Sequence, residues 1–68
     1  MKITFDKQAN AAYIYLKDIK SGEVVKTISI NDTINIDLDK EGRTLGIEIL
    51  EATHNLPARA LNTAEIIG

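Results

Sequence analysis

Five residues between positions 37 and 48 fall on the spacing of a calcium loop. Asp37, Asp39 and Glu41 alternate, Gly42 takes the sixth place and Glu48 the twelfth. The pattern gathers oxygen ligands for a hard cation, and the glycine supplies a sharp turn. It is the sharpest chemistry the chain offers, but its flanks argue against it. Such a loop stands between two helices, whereas residues 25 to 36 are rich in β-branched side chains with strand periodicity, and the eighth place, ordinarily aliphatic, is Thr44. In a hairpin, Glu48 sits several residues up a strand and cannot close a cage, while Asp37 and Asp39 point together from the polar face. The reading is therefore no metal site. An acidic hairpin-loop calcium-binding domain built on Asp37, Asp39 and Glu41 is the alternative.

As a general acid and base, the same carboxylates would need a cleft that moves their pKa values apart. No nucleophile, oxyanion donor pair or phosphate loop accompanies them. No catalytic residue, cofactor or small-molecule substrate is assigned, and the chain reads as a non-enzyme. His54, the single imidazole, falls near the end of an expected helical turn, where a cation is favoured; it reads as a surface residue. Tyr13 and Tyr15 lie on the strand face opposite Ile14 and Leu16. They either cover the second side of the sheet or meet another protein, since tyrosine is enriched at interfaces. Leu56, Leu61 and Ile66 join them as interface candidates, because they give the C-terminal segment an apolar edge to lay on its own sheet or on another chain.

The elements that must position these residues follow from periodicity. Ile34, Ile36 and Leu38 alternate with Asn35, Asp37 and Asp39, and after a turn around Gly42 the alternation resumes in Leu45, Ile47 and Ile49. A period of two on both sides of a glycine-containing turn reads as an antiparallel hairpin with one apolar face. Residues 2 to 6 and 12 to 17 form two earlier strands, and residues 24 to 30 a third. In that third strand Lys26 shares a parity with Val24, Ile28 and Ile30, which calls for a bulge or a place at the sheet margin. Short connections favour a meander over parallel crossovers. After Leu50 the composition turns helical, and Pro57 divides it into one turn over 50 to 55 and a second from Pro57 to about Leu61. Thr63 would cap a last turn, and residues 63 to 68 are expected to fray.

The expected fold is α+β, mainly β: a single antiparallel meander sheet of four to five strands (1–53) with a short C-terminal helical segment (54–68) packed on it in the same domain. A chain of 68 residues buries only about 60% of the surface its unfolded state exposes, so such domains usually need a staple. With no Cys and one His, disulfides and multi-His zinc sites are excluded, and oligomerisation or a protein partner remains. A net charge of −2 without a Lys/Arg cluster argues against nucleic acid. The apolar runs are too short for a membrane span and the N-terminus lacks a signal segment, so the chain is expected to be cytoplasmic.

The segments FDKQANAAYIYL and NIDLDKEGRTLGIEILEAT resemble the small bacterial and archaeal family catalogued as domain of unknown function 2283. The likeness runs from residue 1 to about 53. It rests on Phe5-Asp6, Tyr13-Ile14, the Asp-x-Asp-x-x-Gly turn from Asp37 to Gly42, and the run from Gly46 to Leu50. The resemblance implies a compact β-rich domain and carries over no catalytic residue. Some members are similar to antitoxin-like proteins, being small, acidic and encoded beside another small protein. The functional expectation is a non-catalytic protein-protein interaction module, acting as a homo-oligomer or as the antitoxin-like partner of a neighbour-encoded protein.

Overall fold

Alternating apolar and polar side chains become strand wherever the sequence sustains them. The computed structural model describes all residues from 1 to 68. It contains β1 (Lys2–Asp6), β2 (Ala11–Tyr15), β3 (Lys26–Ser29), β4 (Ile34–Leu38), β5 (Thr44–Leu50), α1 (Ala52–Asn55), α2 (Ala58–Asn62) and β6 (Glu65–Ile67). The hairpins close by local side-chain chemistry. Asp6 accepts the amides of Gln8 and Ala9 in the β1–β2 turn. Asp39 accepts those of Glu41 and Arg43 in the β4–β5 turn, where Gly42 takes the positive φ of 82° that a side chain resists.

The sheet is mixed rather than an antiparallel meander of four to five strands. It has six strands in the order β3-β4-β5-β2-β1-β6. Two corrections produce that order. The first is that β2 pairs with β5, not with β3. Ten residues, 16–25, separate β2 from β3, longer than a tight hairpin connection. They carry the chain past β5 and β4 to the far edge. The second is that Glu65–Ile67 is neither frayed nor helical but a strand parallel to β1. Its Ile-Ile pair suits extended backbone, and the outer edge of β1 offers unpaired donors and acceptors.

Smaller differences follow the same logic. Thr63 ends α2 rather than opening a turn, with its hydroxyl donating back to the Ala60 carbonyl at 3.1 Å. Pro57 stands just before the first helical residue instead of at it. Lys26 lies at the sheet margin, on edge strand β3, and the register irregularity falls between Asp37 and Leu38.

Directly paired residues share a face. One face carries two apolar rows across the strands. Ile34, Ile49, Ala12, Phe5 and Ile66 form the first, and Ile28, Ile36, Ile47, Ile14 and Ile3 the second. The helices cover the middle of the first row: Phe5, Ala12, Ile49 and Ala52 are buried together, with Leu56, Leu61 and Ala64 packed against them, while Ile66 at the row's end is about half exposed. Burial of each large aliphatic side chain there stabilises by up to about 1.5–3 kcal/mol. Only seven of 68 residues are buried, so the core is thin. The accessible surface of 4676 Å² is roughly a tenth above the about 4,250 Å² usual for a folded monomer of this mass. No helix is long and apolar enough to cross a membrane.

Candidate functional site

On the polar face, Tyr13 stands on β2 beside Glu48 of β5. Its ring lies across β5 and reaches β4, where the hydroxyl donates to Asp37 Oδ2 at 2.5 Å. The crossing requires Gly46, because a Cβ there would overlap the Tyr13 ring and its hydroxyl oxygen. Asp37 Oδ1 in turn accepts the Thr27 hydroxyl of β3 at 2.6 Å. Four neighbouring strands are thus tied by one tyrosine, one glycine, one carboxylate and one threonine. Burial, then the hydrogen bond to Asp37, pushes the Tyr13 hydroxyl pKa above its ordinary value. Tyr15 packs beside it, ring centroids 4.7 Å apart, under the Lys2 ammonium at 4.8 Å. Asn35 donates to Glu48 at 3.0 Å. The tyrosines therefore cover the second side of the sheet, with the C-terminal helices on the other.

The acidic residues of the calcium-like spacing do not converge. Asp37 faces Tyr13 and Thr27, whereas Asp39 turns into the hairpin tip. Asp39 Oδ2 accepts from Arg43 Nε at 3.0 Å, and the same guanidinium donates to Glu41 at 2.9 Å. The Arg43 amide, then its guanidinium, holds the Asp39 carboxyl below the usual carboxylate range. Glu48 lies on the polar face beside Asn35. No group of three or more His, Cys, Asp or Glu side chains is arranged to hold a metal ion. His54 is exposed in the last turn of α1.

Leu56 and Leu61 are engaged in the chain's own core. Ile66 lies opposite Phe5 on edge strand β6, about half exposed. What sequence reasoning missed is the second apolar row. Ile3, Ile14, Ile36 and Ile47 are partly exposed and Ile28 is exposed; Ile14 and Ile47 pack against the buried cluster at the row's centre, and none of the five is itself buried. Alternation places each isoleucine on the apolar face. Only the cross-strand register lines them up. Val25 and Ile30, flanking Ile28 along the chain, are 60% and 57% exposed, so apolar surface also gathers at the β3 edge.

The family model for "Protein of unknown function (DUF2283)" matches residues 2–52. The chain belongs to that family. No curated protein and no solved structure matches it. The DUF2283 region holds the first five strands, both isoleucine-bearing rows apart from Ile66, and the whole tyrosine fastening. The motif positions Tyr13, Asp37 and Gly46, far apart along the chain, meet at one place in this DUF2283 sheet.

Proposed function

We propose that this protein is a non-catalytic, cytoplasmic protein-binding module whose contact surface is the open isoleucine row. The observation that carries the reading is the row itself: five uncharged β-branched side chains in register across five strands, on a domain with a thin core. Apolar surface of this kind marks a contact site. The row is symmetric about Ile47 on β5, with Ile36 and Ile28 to one side and Ile14 and Ile3 to the other. An isologous contact between two copies sets isoleucine against isoleucine. Self-association is the favoured use. A neighbour-encoded protein on the same row is the antitoxin-like form of the same function.

Size-exclusion chromatography with light scattering, alone and after co-expression with the product of the neighbouring gene, tests the reading. A mass above that of one chain supports it, and Ile28→Lys should reduce that association. A strict monomer at high micromolar concentration that co-purifies with nothing would defeat it.

A further inference from the structure

The C-terminal residues 52–68 are joined to the sheet through one unusual residue. Glu51 has φ 49° and ψ 51°, a left-handed conformation that glycine adopts freely and other residues resist. The DUF2283 match ends next to it, at residue 52. Beyond that point the chain forms two short helices and β6. α2 contains no buried residue, and every residue of β6 is exposed. The arm nonetheless completes the core: fully buried Ala52, with Leu56, Leu61 and Ala64, covers Phe5, Ala12 and Ile49. The sheet needs an arm on that row, whichever chain supplies it.

Several of the arm's long-range contacts are equally available from another copy. The Asn10 carbonyl accepts the Ala52 amide, and the Asn10 side chain accepts the Thr53 amide and donates to its hydroxyl. β6 pairs with β1 through Thr4↔Glu65, Phe5↔Ile66 and Asp6↔Ile67. We propose that residues 52–68 are an exchangeable arm, which in a dimer lies on the sheet of a second copy in the register it holds on its own. A short hinge in an unfavourable conformation invites such exchange, because the open form relieves the hinge while keeping contacts of the closed one. The proposal deepens self-association and rests on that reading.

The chain has no cysteine, which permits a clean test. Full-length Thr4→Cys and differently tagged Glu65→Cys chains are unfolded together, refolded and oxidised. Exchange predicts a disulfide-linked species containing one of each chain, lost on reduction. The pair Asp6→Cys and Ile67→Cys repeats the test where buried Thr4 does not tolerate substitution. Glu51→Gly, which relieves the hinge in the closed form, should lower the dimer fraction severalfold at fixed concentration, and Glu51→Val should raise it. A dimer by light scattering that yields no mixed disulfide from either pair would overturn exchange while leaving self-association standing. A monomer throughout would overturn both.

Discussion

The two faces of the sheet use their side chains in opposite ways. On the polar face, Tyr13, Asp37, Thr27, Asn35 and Glu48 find partners within the chain. On the apolar face, the arm buries the middle of one row, and the next row stays partly exposed along its length. The polar face therefore holds the strands in register, and the apolar face has interaction capacity left over. A surface that has satisfied its own groups has less to offer a partner than one whose apolar area is still in water.

The largest expected effect comes from breaking the polar face at Gly46. Gly46→Ala places a methyl against the Tyr13 ring and should cost about 1–3 kcal/mol of unfolding free energy, the usual range for overpacking. Adding Tyr13→Ala should recover part of that loss, a coupling that a double-mutant cycle in urea reads directly. Tyr13→Phe removes only the hydroxyl and its bond to Asp37. It should cost about 1–2 kcal/mol, as a shift in urea midpoint at unchanged slope.

Tyr13 also predicts a pH dependence. Its folded pKa is raised, so the folded state keeps a proton that the unfolded state releases above about pH 10. That contribution to stability is complete below about pH 10 and is lost as pH rises further. The thermal midpoint should fall in that range, and fall less in Tyr13→Phe. At the acid end, the depressed Asp39 carboxyl contributes above its unfolded value of about 3.9. Its contribution disappears as pH drops through the lower folded value, and Arg43→Gln should weaken this acid dependence.

The smallest effects should come from the apolar face and the hairpin tip. Ile28→Lys changes an exposed edge position and should alter unfolding free energy by no more than about 0.5 kcal/mol, while loosening association. Calcium in the millimolar range should leave the melting midpoint unchanged, since Arg43 occupies Asp39 and Glu41. A cation bound at 100 times its dissociation constant would instead add about 2.7 kcal/mol.

Much of this molecule was readable from alternation alone. The β1–β2 and β4–β5 hairpins, the apolar parity of the isoleucines in the first five strands and the division of the helices at Pro57 all follow from local pattern. The neighbours of β2 do not, because a period of two fixes which face a side chain occupies and not which strand lies beside it. Glu65–Ile67 was missed because a three-residue strand depends on the open edge of β1 rather than on its own propensity. Gly46 looked like an ordinary polar place in an alternating strand. Its role appears only when Tyr13, 33 positions earlier, is laid across it. Asp37 and Asp39, expected to point together from the polar face, are instead drawn to different partners, Tyr13 and Arg43.

Isoleucine methyl spectroscopy across a dilution series separates the open row from the covered one most directly. If the open row is the contact surface, the methyl signals of Ile14, Ile28, Ile36 and Ile47 will move together as the protein is diluted, while buried Ile49 stays fixed. Spectra that do not change with concentration or with a co-expressed neighbour, or changes confined to Ile66 and Ile67, would contradict it.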